Sequence, residues 1–348
     1  MIDTIYEWYD QGVARINSPT IASLVLLVGV ACLVLGGRWL VNGSVALAKR
    51  LGISTLIVGL TVVAFGTSSP ELAFNLIAAI NNNTGLSFGN VIGSNIANIG
   101  LVLALSAITA PLVIQRRVLT KELPWLMLIS LATIVLALTP PHIEVSRNLE
   151  FGFARLDGII YLGSFVLFLI MWFRMARSDA RGTLLPAEKE VLGEDPPGSL
   201  IVAGLLVVLG LSLLMAGGKA AEVGAVKLAE MFNVSEAVIG LTIVAIATSL
   251  PEAIASITAC RAGHTDLAVG NVIGSNIFNL VLVLGITSTV KPLAIPSENG
   301  WFDLILMNVL TLVVLLLAWV RGLKIRRNDG LFLLLTYVAF LLYRTLSA

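Results

Sequence analysis

Two glutamates lie in long apolar stretches, where a membrane-spanning helix would ordinarily carry no charge. Glu71 ends the segment GLTVVAFGTSSPE, and Glu252 ends the closely similar segment GLTIVAIATSLPE. An ionisable side chain at this depth is costly to bury and usually serves an ion or substrate pathway. Neither stretch carries a basic residue that could pair with its glutamate. The two carboxylates therefore predict one cation site shared by two parts of the chain.

Each glutamate directly follows a proline, which predicts a broken helix. Proline lacks a backbone N–H and clashes with the preceding turn. We expect the first helix to break just before Pro70, with Ser68 or Ser69 capping the second half-helix. Freed carbonyls around Ala64–Gly66 and the hydroxyl of Thr67 would then add oxygen ligands. The second segment repeats these features with Ala245, Thr248, Ser249, Pro251 and Glu252.

A further motif follows each glutamate, and it contributes serine and asparagine. The two copies read GNVIGSNIAN and GNVIGSNIFN. Residues four apart share one face of a helix, so a serine and an asparagine point the same way in each copy. The glycines, also four apart, permit close helix approach, and packing alone would explain them. The predicted site thus includes Ser94, Asn98, Ser275 and Asn279.

The few histidines and cysteines restrict the kind of metal that the chain can bind. The chain has two histidines, His142 and His264, and two cysteines, Cys32 and Cys260. A site built from nitrogen and sulfur ligands is therefore not available. Oxygen ligands favour hard cations such as Ca²⁺ or Na⁺. Two carboxylates would neutralise one Ca²⁺ or bind two or three Na⁺, and the empty pair would cross the membrane at a high cost. This charge balance favours antiport.

The sequence of the first half is repeated in the second half at one fixed offset. This offset aligns Glu71 with Glu252. Applied without a gap to the 45 positions from Gly59 to Leu103, this offset gives 24 identities. Apolar composition alone would not place Gly, Asn, Ser, Pro and Glu in register. The chain is therefore an internal duplication, and residues related by the repeat offset are called equivalent below.

Composition and hydropathy indicate an all-α polytopic membrane protein. The sequence is 57% hydrophobic and 12% charged, with a mean hydropathy of +0.95. A transmembrane helix needs about twenty apolar residues, and no basic stripe suggests a nucleic-acid partner. We expect ten spans, at about 20–47, 53–80, 86–111, 121–139, 156–176, 199–229, 234–260, 265–290, 302–320 and 329–346.

Five spans in each half is an odd number, so the second half would enter from the opposite side of the membrane. Inverted repeats of this kind, with broken core helices, are typical of secondary transporters whose site lies near the midplane. The distribution of Lys and Arg between loops places both termini outside. We expect an interfacial segment at 1–19, a first repeat at 20–176, a cytoplasmic linker at 177–198 and a second repeat at 199–348.

Two features remain open at this level. The linker is either a flexible connection or a regulatory ion-binding loop, although its acidic residues lack the spacing of a calcium loop. Arg38 and Lys219, which align across the repeat, could pair with the glutamates, gate the pathway, or extend to the headgroups. The acidic residues of the linker are Glu188, Glu190, Glu194 and Asp195.

The paired motifs resemble those of the sodium/calcium exchanger family of cation/Ca²⁺ antiporters, and specifically its prokaryotic members. The segments GLTVVAFGTSSPEL, GNVIGSNIAN, GLTIVAIATSLPEA and GNVIGSNIFN look like the two alpha repeats of that family. The resemblance implies Ca²⁺ extrusion driven by inward Na⁺ flux across the bacterial or archaeal inner membrane. It also implies a transporter rather than an enzyme, with Ca²⁺ and Na⁺ as transported ions, the lipid bilayer as its surroundings and no cofactor.

The resemblance further assigns roles to the motif residues. Glu71 and Glu252 would ligate Ca²⁺ and also serve Na⁺. Spans two, three, seven and eight would form the core, and spans one and six would slide past it. The flanking Na⁺ sites and the rest of the central cluster would be formed by Thr67, Ser68, Thr248, Ser249, the carbonyls of Ala64 and Ala245, and Ser94, Asn98, Ser275 and Asn279.

The sequence departs from the family pattern at three positions, two of which also distinguish the two halves. Ala247 stands where the family often has Gly, as Gly66 is in the first half. Asn75 stands where a small hydroxylated residue is common, as Ser256 is in the second half. Asn279 stands where several relatives, including carriers of K⁺, have Asp, which argues against K⁺ dependence.

Other functions compete with Na⁺/Ca²⁺ exchange. A H⁺/Ca²⁺ antiporter would use the same two glutamates, protonated in turn. A cation channel is disfavoured because inverted halves suggest alternating access. An intramembrane metalloenzyme is disfavoured because the sequence offers neither His or Cys ligands nor a nucleophile–base pair. The Na⁺:Ca²⁺ stoichiometry is left open.

Overall fold

A bundle of long apolar helices makes up the structure, a computed structural model that describes residues 16, 18–138, 151–178, 199–234 and 245–346. Within these ranges, eight helices are long and apolar enough to cross a membrane, and one bent pair makes a ninth candidate. The first half contains α1 (Pro19–Leu51), α2 (Thr55–Thr67), α3 (Ser69–Ile80), α4 (Thr84–Thr109), α5 (Val118–Leu138) and α6 (Arg155–Ser178).

The second half follows the same order. It contains α7 (Leu200–Met231), α8 (Ala245–Thr248), α9 (Leu250–Arg261), α10 (Thr265–Val290), α11 (Gly300–Val320) and α12 (Arg327–Leu346). The predicted all-α membrane class is therefore confirmed. Residues 235–244 of the predicted seventh span lie outside the described residues, so the count of ten spans stays a prediction. Most of the predicted segments 1–19 and 177–198 lies outside them too.

The two longest helices begin in the same way in both halves. The hydroxyl of Ser18 accepts the N–H of Ile21 at 3.3 Å, and that of Ser199 accepts the N–H of Val202 at the same distance. Both serines are helix N-caps, and they are equivalent in the repeat. A helix of 33 residues such as α1 is about 50 Å long, which exceeds the apolar thickness of a bilayer and requires a tilt.

Helices α1 and α7 pack backbone against backbone through glycines at seven-residue spacing. A Cβ on Gly29 would lie 2.4 Å from the amide nitrogen of Ala221, and one on Gly36 would lie 2.8 Å from the carbonyl oxygen of Gly210. The contacts descend along α7 as they ascend along α1, so the two helices are antiparallel. This is the geometry that inverted repeats require of equivalent helices. The six glycines are Gly29, Gly36, Gly43, Gly210, Gly217 and Gly224.

Two short strand pairs tie the halves together. Strand β1 (Leu112–Val113) pairs antiparallel with β4 (Lys324–Ile325), and β2 (Gly152–Phe153) pairs antiparallel with β3 (Leu293–Ala294). Strands β1 and β3 are equivalent in the repeat, so each half contributes its first strand to the second strand of the other. The exchange is what a two-fold relation between the halves produces.

The core and the periphery differ in exposure. Nearly all of the apolar window in α10 is buried, and so is most of that in α4, whereas α6 and α12 are mainly exposed. Their outward leucines and phenylalanines suit lipid rather than water. The broken helices and α4 and α10 therefore lie inside a shell of peripheral helices, which keeps the polar motif residues away from lipid.

Candidate cation site

The two glutamates meet in the interior of the bundle. Glu71 is 5% exposed and Glu252 is 1% exposed, and the two side chains are close enough for their charges to interact. Among the described residues, they belong to no cluster of three or more His, Cys, Asp or Glu side chains. The negative charge of this site therefore comes from a pair of carboxylates, surrounded by neutral oxygens.

Each glutamate is positioned by the break that the sequence predicts. Ser68 has φ −85° and ψ 0°, and Ser249 has φ −95° and ψ 3°; both interrupt the helix two residues before the proline. In the first half the two arms, α2 and α3, are bent by 41°. The serines occupy the N-cap positions, but neither side chain makes a capping hydrogen bond. The cap prediction is thus right in position and wrong in bonding.

The carbonyl prediction needs a correction at Ala64. Its oxygen accepts the N–H of Ser68 at 3.0 Å and the hydroxyl of Thr67 at 3.4 Å, so the break does not free it. The carbonyl that loses its helical donor is that of Gly66, because Pro70 stands four residues later and has no N–H. Ala245 begins α8 at the edge of the described residues.

Many buried oxygens around the glutamates lack a hydrogen-bond donor within the described part of the chain. Such atoms are uncommon in folded proteins because burying them without a partner costs about 1–3 kcal/mol each. Their chemistry, carboxylate and hydroxyl and amide oxygen, matches the preference of hard cations. They are Glu71 Oε2, both carboxylate oxygens of Glu252, Ser68 Oγ, Ser94 Oγ and Asn279 Oδ1.

Thr67 links the first motif to the second half. Its hydroxyl donates to Oδ1 of Asn271 at 3.3 Å and lies 3.5 Å from Oγ of Ser275. Both partners belong to α10, so a residue of the first motif bonds to the asparagine–serine motif of the other half. Thr67 and Ser275, both among the predicted site residues, therefore lie together across the two halves. Among the other motif residues, Ser94, Asn98, Ser249 and Asn279 are buried in the same core, and Thr248 is half-buried.

Asparagines support the backbone of both glutamates, and two residues of this network, Asn90 and Asn271, were not among the predicted site residues. In the second half, Nδ2 of Asn271 donates to the backbone carbonyl of Glu252 at 3.4 Å and to the hydroxyl of Ser256 at 2.9 Å. In the first half, Asn75 takes over this role: its Nδ2 donates to the carbonyl of Glu71 and to Oδ1 of Asn90, both at 2.7 Å. Asn90 and Asn271 stand at matching places in GNVIGSN, which is a signal that was available in the sequence.

The two asparagines of the predicted site, Asn98 and Asn279, lie where their helices widen into π-helical turns. Asn98 and Asn279 each begin a π-helical segment, Asn98–Leu103 in α4 and Asn279–Val283 in α10. Such wide turns are rare and are concentrated at functional sites. Because the two segments begin at equivalent asparagines, the two halves build this region with the same local distortion.

A cavity of about 200 Å³ reaches Glu71 from one side of the bundle. By the share of about 30 Å³ that each water takes in the liquid, it has room for several water molecules. Its walls come from α3, α4 and α7 and from α8 and the start of α9. The lining residues are Pro70, Glu71, Phe74, Asn90, Met215, Gly218, Lys219, Glu222, Ala247, Thr248 and Pro251.

The corresponding approach to Glu252 is closed by α1. A Cβ on Gly37 would lie 3.0 Å from both Cγ2 of Ile254 and Oγ1 of Thr258, which are on α9. The residue that matches Gly37 in α7, Gly218, also faces α9, since its Cβ would lie 3.4 Å from Cγ of Pro251. Both members of the α1–α7 pair therefore lie against the second half, and the gap opens beside the first.

Comparison with protein families gives one match that spans most of the chain. The family described as sodium/calcium exchanger protein matches residues 21–174 and 202–346. The two matched segments separate at the predicted linker. The resemblance that the motifs indicate is therefore confirmed by a comparison that uses both halves.

Individual relatives point the same way. The chain is 35% identical over 326 residues to CaxA, a putative antiporter of Alkalimonas amylolytica, covering 92% of this chain and 97% of CaxA. It is 30% identical over 343 residues to the sodium/calcium exchanger MaX1 of Methanosarcina acetivorans, covering 92% and 98%. Among solved structures, that of the sodium-calcium exchanger NCX_Mj soaked with 2.5 mM Na⁺ and 10 mM Sr²⁺ matches with a TM-score of 0.75 and 30% identity, covering 92% of this chain and 98% of the other.

Proposed function

The chain belongs to the sodium/calcium exchanger family, and from this premise we propose that it exchanges Na⁺ for Ca²⁺ by alternating access. Members of this family are transporters and not enzymes, and the multi-span fold agrees with that role. We propose further that Ca²⁺ binds between Glu71 and Glu252, and that Na⁺ uses the surrounding hydroxyl and amide oxygens.

The observation that carries the proposal is the group of buried oxygens, contributed by both halves, that have no hydrogen-bond donor among the described residues. Glu71 and Glu252 can bind one Ca²⁺ with its charge neutralised, while Ser94 and Asn279 supply neutral ligands. Removing the cation leaves two buried carboxylates with no basic partner in the described residues of their helices. That state is unfavourable in a low-dielectric interior, so the halves would exchange sides with ions bound.

The cavity beside α3 supports the alternating part of the mechanism. The cavity reaches Glu71, while α1 packs against α9 beside Glu252. Movement of the tightly packed α1–α7 pair from α9 towards α3 would close the approach to Glu71 and open the approach to Glu252. The solved structures of NCX_Mj concern extracellular ion exchange. With that similarity and the Lys/Arg distribution, we propose that the cavity opens to the outside and that both termini lie there, in the cell membrane.

A Na⁺ gradient across purified, reconstituted vesicles tests the proposal. At fixed pH on both sides, an outward-directed Na⁺ gradient should drive uptake of radioactive Ca²⁺, and an ionophore that collapses the gradient should stop it. Uptake that ignores Na⁺ but follows a pH gradient would instead identify a H⁺/Ca²⁺ antiporter using the same glutamates. Ca²⁺ currents too fast for a carrier would identify a channel.

A further inference from the structure

We propose that the ion pair between Lys219 and Glu222 selects among cations at the mouth of the cavity, with Lys219 disfavouring divalent ions and Glu222 attracting them. The inference rests on the proposed exchange of Na⁺ and Ca²⁺. It assigns a role to Lys219, one of the two basic residues that align across the repeat and whose function the sequence leaves open.

The geometry places this pair in the pathway. Nζ of Lys219 lies 2.8 Å from Oε1 of Glu222, one helical turn away on α7. Both residues line the same cavity as Glu71. The side chain of Lys219 is 53% exposed and that of Glu222 is 18% exposed, so the ammonium is the more exposed of the two charges and the carboxylate lies further inside. A cation that enters from the more exposed end would therefore meet the ammonium of Lys219 before the carboxylate of Glu222 or Glu71.

Charge determines what this order of groups does to different ions. A fixed ammonium repels Ca²⁺ with twice the energy with which it repels Na⁺ at the same distance. Clefts with low-dielectric walls strengthen such effects relative to an open surface. Lys219 therefore reduces the local concentration of Ca²⁺ more than that of Na⁺. Glu222 acts in the opposite sense, and its bond to Lys219 keeps part of that attraction neutralised.

The consequence depends on the side of the membrane. While the cavity is open, Lys219 would lower the apparent affinity for Ca²⁺ on that face and so assist its release in exchange for Na⁺, and Glu222 would limit this effect. Arg38, the equivalent residue on α1, is exposed and lies outside the described lining of this cavity. The effect of Lys219 should consequently appear on one face of the membrane only.

The chain contains a matched control on the same helix. Nζ of Lys227 lies 2.7 Å from Oε2 of Glu230, again one turn apart, but these two residues are not part of the cavity lining. The two pairs share helix, spacing, charge and hydrogen-bond geometry. They differ in their position relative to the pathway, so a comparison between them separates selection of ions from general stabilisation of α7.

The test measures Ca²⁺ transport kinetics on each face of oriented membrane vesicles. At low ionic strength, Lys219→Gln should lower the KM for Ca²⁺ roughly three- to tenfold on the cavity face, and Glu222→Gln should raise it, with little change in maximal rate. Lys219→Arg should behave like the wild type. High salt should shrink both shifts, because the Debye length falls to about 3 Å at 1 M. Lys227→Gln and Glu230→Gln should leave the KM unchanged.

Shifts of opposite sign support charge selection, since a merely structural role would move both variants in the same direction. Equal KM values for Lys219→Gln and Lys227→Gln on both faces, in vesicles where the wild type exchanges Na⁺ for Ca²⁺, would overturn the inference and leave the proposed function intact. A wild type without Na⁺-driven Ca²⁺ flux would overturn the proposed function itself.

Discussion

The two halves of the molecule carry nearly the same motifs but do not have the same access to solution. Phe74, on the first half-helix after the break, is 43% exposed, whereas its equivalent Ala255 is 2% exposed. Asn90 is half-buried and lines the cavity, whereas Asn271 is 1% exposed. The side of the site that carries Glu71 is thus exposed to the cavity, and the side that carries Glu252 is enclosed; we call them the open wall and the sealed wall. The difference cannot come from the glutamates, since both halves have one at the same place.

Packing of the α1–α7 pair explains the asymmetry better than the motif residues do. Gly37 and Gly218 are equivalent, yet both face α9 of the second half. A two-fold arrangement would place one of them against α3. The pair is therefore displaced as a unit from the symmetric position, and the backbone contacts at its glycines keep α1 and α7 together. The comparison teaches that the repeated sequence places one buried glutamate in each half, while the position of the α1–α7 pair determines which of them lines the cavity.

The largest expected effect tests whether the open and sealed walls contribute equally to Ca²⁺ binding. Glu71→Gln and Glu252→Gln should each abolish Ca²⁺ transport, by about a hundredfold or more, because a single remaining carboxylate leaves Ca²⁺ with an uncompensated charge in a low-dielectric site. Glu230→Gln, an exposed glutamate on α7, is the control. Uptake into vesicles measures the loss of transport, and a thermal melt shows that the fold persists. Retained Ca²⁺ flux in both variants would falsify the shared site.

The next effect tests whether α1 and α7 move as one unit. A Cβ on Gly210 would lie 2.5 Å from the amide nitrogen of Leu40, so Gly210→Ala should separate the helices and destabilise the protein by about 1–3 kcal/mol. Gly204, also on α7, has open space around it among the described residues. Gly204→Ala should be neutral or slightly stabilising, because alanine favours helix. The melting temperature and exchange rate of both variants give the comparison, and equal behaviour would argue against tight packing.

A smaller effect concerns the departure between Gly66 and Ala247. A Cβ on Gly66 would lie 2.4 Å from Cδ1 of Leu211 on α7. This atom is at the far end of a flexible side chain, so Gly66→Ala should be accommodated mainly by a shift of Leu211, at a strain of about 1 kcal/mol, and should slow exchange about two- to threefold. Ala247→Gly, which acts on the cavity side, should have less effect. Leu211→Ala removes the side-chain atoms that the added methyl group would meet, so it should restore activity in the Gly66→Ala background. Failure to do so would point to another cause.

The motifs allow the site to be predicted because its chemistry lies in residue types and spacing. Glu71, Pro70 and Thr67 identify a broken helix with a buried acid, and the repeat offset identifies the opposite wall. The structure puts Thr67 beside Ser275, across the two halves. A contact between the two halves is expected when their motifs share one site. Which two residues make it depends on side-chain directions, which the sequence does not give.

Other features could not be predicted because they depend on how helices pack. The bonding of Ala64 depends on where the helix turns, which Pro70 alone does not determine. The support of the Glu71 carbonyl by Asn75 appeared in the sequence only as a departure from the family pattern. The cavity beside α3 depends on the displacement of α1 and α7. A transporter has the same sequence in both of its access states, so the sequence does not tell which displacement is adopted.

The smallest expected effect tests how the sealed wall tolerates an added charge. Asn279 is 1% exposed, and both polar atoms of its amide lack partners among the described residues. Asn279→Asp would give the site a third acid, so that a bound Ca²⁺ no longer neutralises it and a proton or Na⁺ is favoured as an additional ligand. Ca²⁺ transport by the variant should fall more steeply as the pH is lowered, and the KM for Na⁺ should change about threefold, which corresponds to about 0.7 kcal/mol. Asn279→Ser keeps an oxygen without a charge and should retain the pH profile of the wild type. If the aspartate and serine variants share one pH profile and one KM for Na⁺, Asn279 does not face the bound ions, and the sealed wall contributes its carboxylate without its asparagine.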